Sequence, residues 1–542
     1  MITRQISIIL IAGLFGDLLS ASPFPAMPLL PTVDLGYSQY RGMSLTNGVD
    51  QYLGIRYAKA PLGDLRFRGP EDPEETAGVL DASSFGPLCV GVGESISDSL
   101  SEDCLFINVW RPTTAGADSN LPVWLFIQGG GYANNANGNY NGSEVVRESG
   151  HNIIFVNFNY RAGVLGFLAG ERVRENGDLN AGLLDQRKAL YWVQKHIRKF
   201  GGNPDHVVIH GGSAGAGSVA YHLTAYGERN TDLFIGAVAE SPFWPTQRTV
   251  AQMEFQYDRF VEDASCHKEE DSLACLRSVD IETIQKVNVN KPFPGGSSMP
   301  LPSFYFLPVV DGNLIQDRLY NLFSEGKFVH VPLLVGDETN EGTEFAYNAS
   351  SKYEVAQFMK NNYPGLSRDQ LEAINKAYED TMPLPKHAAY FASAAGAYGD
   401  ATFTCPGNLM TAAMAGSFSS DLAWNYRYNV RDPTNIANGM GVPHMFDLRA
   451  IFGVGNTNEP PLSYASSNAE IVPVTMHYYL SFIRFLNPNI RRYKDAPEWQ
   501  PWGSGAGRRL KLQTNSTEME SIPRLEVERC SMWKDFAADM QN

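Results

Sequence analysis

The sequence predicts an α/β fold, a large, mostly parallel central sheet wound on both faces by helices. Three observations carry this. Apolar strand-like runs alternate with helical patterns from Leu105 onward. A glycine-framed serine, Gly211-Gly212-Ser213-Ala214-Gly215, stands between a β-branched run and a helical stretch. A second glycine run, Gly129-Gly130-Gly131, ends another apolar strand. Sheets of this kind bind ligands beyond the carboxyl ends of their strands, so the loops leaving those ends are where chemistry is expected.

Taken in order, Met1–Ala21 carries Arg4, an apolar run from Ile6 to Leu14, and the small residues Ser20-Ala21-Ser22. That is the make-up of a secretory signal peptide, since a membrane-spanning helix needs about 20 apolar residues. Residues 22–542 are then expected to form a single domain, because no repeat, low-complexity tract or polar linker divides them. Gly36–Leu53 reads as a small N-terminal β-meander, and Gly54–Phe67 as a strand followed by a Pro/Gly turn. Leu105–Trp110, Val123–Ile127 and Asn152–Tyr160 are apolar strand runs. Asp185–Phe200 repeats Ala189, Leu190, Val193, Ile197 and Phe200 at helical spacing, with Gly201-Gly202 as its C-cap. Later strands are expected at Ile235–Glu240, Val331–Val335 and Trp424–Val430. Lys291–Ser303 and Gly453–Ser463, rich in Pro, Gly and Ser, read as surface loops able to rim a pocket.

Composition narrows the function. The 542 residues are 43% hydrophobic and 19% charged, which suits a large core and not a disordered chain. A net charge of −16 and a pI near 5.1 offer nothing to nucleic acid or to an anionic membrane surface. Cysteines in an exported chain pair; Cys89/Cys104 and Cys266/Cys275 are local pairs, leaving Cys405 with Cys530. Spacing alone does not fix that connectivity. Asn141, Asn348 and Asn515 each open a glycosylation sequon. There is no zinc-type Cys/His spacing, so neither a metal nor a cofactor is expected.

The G-x-S-x-G pattern is weak by itself, and a plain glycine-rich turn is its bland alternative. Its context is stronger. Val207–His210 reads as a buried strand and Val219–Leu223 as a helix, so strand, sharp turn, serine and helix follow one another as in a nucleophile elbow. A serine nucleophile needs a base, an orienting acid and an oxyanion hole. Val123–Tyr132 runs an apolar strand into Gly129-Gly130-Gly131, whose bare backbone can turn N–H groups on a substrate oxygen. A phosphate loop would need G-K-[ST] or G-x-G-x-x-G, and neither is present. The acid should leave the strand Val331–Val335, where Asp337, Glu338, Glu341 and Glu344 compete and pattern does not choose. His387, His444 and His477 lie beyond these acids. His477 sits in the helical pattern Val474–Phe485, and His387 in a helical stretch with no strand before it. His444 follows a late strand and the loop Gly439–Pro443, which is where a base belongs.

With these residues in place the chain resembles the type-B carboxylesterases, the cholinesterase/lipase branch of the α/β-hydrolases. Phe200 through Gly215 fits the branch's serine signature and Glu102–Pro112 its second signature. Gly54–Phe67, Asn159-Tyr160-Arg161, Gly166-Phe167-Leu168 and Gly182–Gln186 fit further blocks. In overall run the chain is most similar to the secreted carboxylesterases of filamentous fungi. The resemblance implies a triad of Ser213, Glu341 and His444, with Glu341 chosen by the motif Asn340-Glu341-Gly342. It also implies oxyanion donors at Gly130, Gly131 and Ala214, and the pairing Cys405–Cys530. Three departures stand out: Gly212 where the family usually has glutamate, Gln128 where many relatives have histidine, and Asp447 where a glutamate often follows the histidine.

The family's lid or choline-binding loop lies between its first two cysteines. Here the enclosed residues 90–103 contain no aromatic side chain, and the loop is short. The resemblance therefore implies a soluble esterase of short to medium acyl chains acting on a small-molecule ester, without stable membrane association. A lipase of longer-chain glycerides and a non-catalytic binding protein are the alternatives. Trp244, in Pro242-Phe243-Trp244-Pro245, is a candidate for the acyl pocket, with a core-facing position as its alternative.

Overall fold

The computed structural model describes residues 30–228, 232–379, 383–503 and 507–542. The expected signal peptide, Met1–Ala21, lies outside the described residues. An 11-stranded sheet runs through the molecule. From one edge its order is Glu518–Ser521, Arg508–Leu512, Ala423–Tyr428, Leu333–Glu338, Gly236–Glu240 and Gly202–Gly212. It continues through Leu121–Ile127, Ile154–Phe158, Phe106–Pro112, Val49–Arg56 and Met43–Ser44. Neighbours from Arg508–Leu512 to Ile154–Phe158 are parallel, and both margins are antiparallel.

The strand runs are continuously apolar because both sheet faces are covered. Along Leu121–Ile127, Val123, Leu125 and Ile127 join one buried cluster, while Trp124 and Phe126 join the other. The same alternation splits Val207 and Ile209 from Val208 on the neighbouring strand. The first helix of the serine region, Ala181–His196, continues as a 3-10 turn to Phe200. Gly201, at φ 92°, closes it in the left-handed conformation that the C-cap reading anticipates.

The N-terminal segment divides between two sheets. Thr32–Asp34, Gln39–Arg41 and Val79–Asp81 form a small sheet of their own. Val49–Arg56 instead pairs with Phe106–Pro112 in the large sheet, because it buries residues on both faces and needs cover on both. The blocks behind the family resemblance also meet in space. Arg161 and Asp185 form a fully buried ion pair at 2.7 Å, and Arg66 holds Glu102 at 2.5 Å. All three expected disulfides, Cys89–Cys104, Cys266–Cys275 and Cys405–Cys530, are formed.

Candidate active site

Ser213 sits on the turn between the strand Gly202–Gly212 and the helix Ala214–Glu228, with φ 56°. A non-glycine residue there is strained, and the surroundings hold it. Its N–H donates to the Glu240 carbonyl at 2.8 Å, and its carbonyl accepts from Gly217 at 2.9 Å. The flanking glycines are needed for close approach. A Cβ on Gly211 would meet the Gly215 carbonyl oxygen at 2.1 Å, and one on Gly215 the Ile127 oxygen at 2.0 Å.

The glycine run lies against this turn: a Cβ on Gly129 would be 2.8 Å from that of Ser213. Gly130 and Gly131 have φ of 118° and 62° and line the same cavity as Ser213, about 390 Å³ in volume. Gln128 turns its amide away from that cavity toward the Phe158 carbonyl and Asn159.

The strand Leu333–Glu338 leads into a 3-10 turn, Glu341–Glu344, that carries the acid. Glu341 Oε2 and His444 Nδ1 are 2.5 Å apart, and Oε1 accepts the Glu338 N–H at 2.7 Å. Burial pushes the Glu341 carboxyl up, but the His444 ring and these hydrogen bonds outweigh it and hold the group below its ordinary value. Because Nδ1 is engaged, Nε2 is the nitrogen left for a proton, and it is buried without a hydrogen-bond partner. Phe345 and Phe403 pack on the ring at 5.0 and 4.4 Å, fixing its plane. His444 lines the Ser213 cavity.

None of the competing residues bonds the His444 ring or replaces it. His387 stacks on Phe391 and bonds the Asn438 carbonyl, and His477 faces Glu148. Glu344 lines the cavity, whereas Asp337 is buried and Glu338 binds Ser241. Trp244 needs a correction. It is fully buried, against Tyr320 and Phe323, and is not part of the Ser213 cavity. Its neighbour Phe243 points the other way and backs Phe304 at 4.8 Å.

Several lining residues had no mark in the sequence. Phe304 covers Gly131 so closely that a Cβ there would meet its ring at 1.9 Å. It follows the loop Lys291–Ser303, and the other expected rim loop, Gly453–Ser463, contributes Glu459. Glu459 accepts from the Tyr140 hydroxyl at 2.9 Å and faces Arg449 at 3.6 Å. At Gly212 a Cβ would meet the terminal methyl of Met445 at 2.2 Å and lie 3.5 Å from Glu240 Oε2. Donor atoms of Glu338, Glu341 and His444 lie within 4.8 Å of one another, as a metal would require. Both Glu341 oxygens, however, are already taken by hydrogen bonds.

A serine on a strained strand-to-helix turn, a histidine held by a buried glutamate and a glycine loop beside them define a serine hydrolase of α/β-hydrolase fold. The comparisons agree. Residues 30–533 match the family model described as "Carboxylesterase family", and the chain belongs to that family. The crystal structure of Aspergillus niger EstA is similar at 57% identity and a TM-score of 0.93, covering 95% of this chain and 99% of that one. Lipase 2 of Geotrichum candidum is 31% identical over 82% of this chain and 85% of its own length. Secreted lipase 4 of Gibberella zeae is 29% identical over 91% and 89%. The chain is accordingly an ester hydrolase of serine type.

Proposed function

We propose a secreted carboxylesterase that cleaves small esters of short to medium acyl chain, with Ser213 as nucleophile, His444 as base and Glu341 as its orienting acid. The observation that carries this is the 2.5 Å bond between Glu341 and His444 in a cavity shared with Ser213. His444 Nε2 takes the Ser213 proton as Oγ bonds to the ester carbonyl carbon. The carbonyl oxygen becomes an oxyanion that the N–H groups of Gly130, Gly131 and Ala214 receive. Collapse breaks the bond to the alcohol, which leaves with the proton from His444. Water then adds to the acyl-enzyme by the same route and releases the acid.

The short-chain preference rests on the cavity's size and on its mixed lining, in which Glu344, Arg449 and Glu459 join Phe304 and Phe345. Export, with 1–21 as signal peptide and 22–542 as one domain, is supported by the disulfides and by relatives named secreted lipases. The sequons at Asn348 and Asn515 are exposed and Asn141 half-buried, which suits glycosylation best at the first two. Among the described residues no helix is long and apolar enough to cross a membrane.

The relatives named lipases favour a second reading, activity on long-chain glycerides. Hydrolysis of p-nitrophenyl esters from acetate to palmitate separates the two. We expect a maximum at short chains and its loss in a folded Ser213→Ala variant. A maximum at palmitate would favour the lipase reading, and activity surviving in the variant would reject Ser213.

A further inference from the structure

Behind the Glu341–His444 pair lie three more carboxyl groups that the mechanism does not use. Glu240, Glu338 and Asp447 are at most 2% exposed, and their oxygens approach within 4.8 Å of one another. Each is joined to a different member of the triad. Glu240 ends the strand beside the nucleophile strand; its carbonyl holds the Ser213 N–H, and its carboxyl accepts from His210 at 3.1 Å. Glu338 begins the acid loop, with its N–H on Glu341 and its carboxyl accepting from Ser241 at 2.5 Å. Asp447 closes the histidine turn. Its N–H points at Glu338 Oε1 at 3.5 Å, and its Oδ2 accepts from Tyr426 at 2.5 Å.

Three ionised carboxylates cannot share a dry site of this size. The titratable groups facing them bring no relief. Among the described residues they are His210, Glu341, His444, Glu459 and the hydroxyls of Tyr140, Tyr426, Tyr428, Tyr464 and Tyr479, none of them lysine or arginine. His210 is neutral, because Trp124 Nε1 donates to its Nδ1 and burial pushes its pKa down to about 3. Its one proton, on Nε2, is the one given to Glu240. Glu240 Oε1 and Asp447 Oδ1 are then both buried with no hydrogen-bond partner. A proton on one of them, donated to the other, satisfies both.

We propose that Glu240, Glu338 and Asp447 form a proton-sharing carboxyl staple that ties the loops of Ser213, Glu341 and His444 together. They are positioning residues, and Glu240 and Met445 fill the space into which a side chain at position 212 would project. The inference rests on the triad reading above. Burial, and then the neighbouring Asp447, raise both Glu240 and Glu338 well above the carboxylate range. Such groups stabilise the fold fully below their unfolded pKa, and that stability is lost as pH rises through the folded value.

Two series test it. Thermal unfolding of wild type, Glu240→Gln and Glu338→Gln is followed between about pH 5 and pH 9, a range above the unfolded carboxylate pKa. The amides cannot lose the shared proton, so their melting temperature relative to wild type should rise with pH by about 2 °C or more. In the second series, Glu338→Ala should lower kcat on p-nitrophenyl butyrate by about tenfold to a hundredfold with KM nearly unchanged. Glu338→Gln, which keeps the bonds, should recover most of that loss. Ser213→Ala, inactive, should keep the wild-type pH–stability curve, so failure of the triad reading is distinguishable from failure of the staple. Gln variants that melt in parallel with wild type at every pH would overturn the proposal, as would full kcat in Glu338→Ala. If Glu338→Ala does not fold, the pH series on the two Gln variants decides.

Discussion

Phe304 lines the cavity beside Ser213. It covers Gly131, leans on Phe243 at 4.8 Å and on Phe345 at 5.9 Å, and is only partly buried itself. Phe304→Ala should therefore lengthen the acyl preference, raising the octanoate-to-butyrate ratio of kcat/KM by about tenfold, as expected for a few extra methylenes in an apolar pocket. Trp244→Ala should behave differently, costing about 3–5 kcal/mol of stability by leaving a core cavity, with the acyl preference unchanged. An unaltered ratio in Phe304→Ala would show that another wall limits the acyl group. Ser213, Glu341 and His444 were legible because each follows a strand end or glycine turn that marks it in one dimension. Glu341 still needed the family motif to separate it from Asp337, Glu338 and Glu344. Glu240 and Phe304 carry no such mark. Glu240 reaches the site through the cross-strand register Gly212↔Glu240, which no sequence pattern displays.

At the scale of elements, the two strands of the large sheet that escaped sequence reading are charged ones. Arg508–Leu512 and Glu518–Ser521 carry no apolar run that marks them in the sequence, yet they extend the sheet beyond Ala423–Tyr428. Their charges pair with one another: Glu520 receives Arg427 and Arg509, each at 2.7 Å in its closest ion-pair contact, and Arg509 is almost fully buried. Desolvation works against the Glu520 carboxylate, but the hydrogen bonds from Arg427 and Arg509 prevail and push its pKa down to about 2. A depressed acid stabilises the fold above its unfolded pKa, and that contribution disappears as pH falls from the ordinary range through about 2. Glu520→Gln should cost about 1–2 kcal/mol at neutral pH, discounted because the group is one-fifth exposed. Denaturant unfolding at pH 7 and in acid checks this. The deficit should shrink toward pH 2, and an equal deficit at both would remove the ion pairs as its cause. The apolar strands were legible for the converse reason, since burial on both faces leaves continuous runs such as Val123–Ile127. Where Gly36–Leu53 divides between two sheets, local alternation could not tell which sheet would cover it.

At the scale of the whole molecule, the bond between Cys405 and Cys530 does what neither local disulfide can. It spans 125 residues, against 15 and 9 for the others. The span contains the strand Ala423–Tyr428, His444 and the two charged strands, so the bond closes the part of the chain that completes the site. It also holds the last helix, Arg524–Met540, whose Glu526 anchors the buried Arg509 and whose Trp533 donates to Tyr378 at 2.7 Å. Chain-entropy reasoning gives about 5 kcal/mol for a loop of that length and roughly 3 kcal/mol for the shortest one. Replacing Cys405 and Cys530 by Ala should thus lower the unfolding free energy by about 2 kcal/mol more than replacing Cys266 and Cys275. Neither pair lines the Ser213 cavity, so both variants should retain esterase activity at room temperature. The long-loop variant should lose it at a lower temperature, and the rate of that loss, followed by residual activity after heating, is the measurement that decides. If the two variants inactivate together, the last helix is held by its packing and ion pairs, and the covalent closure contributes little to the assembly of the site.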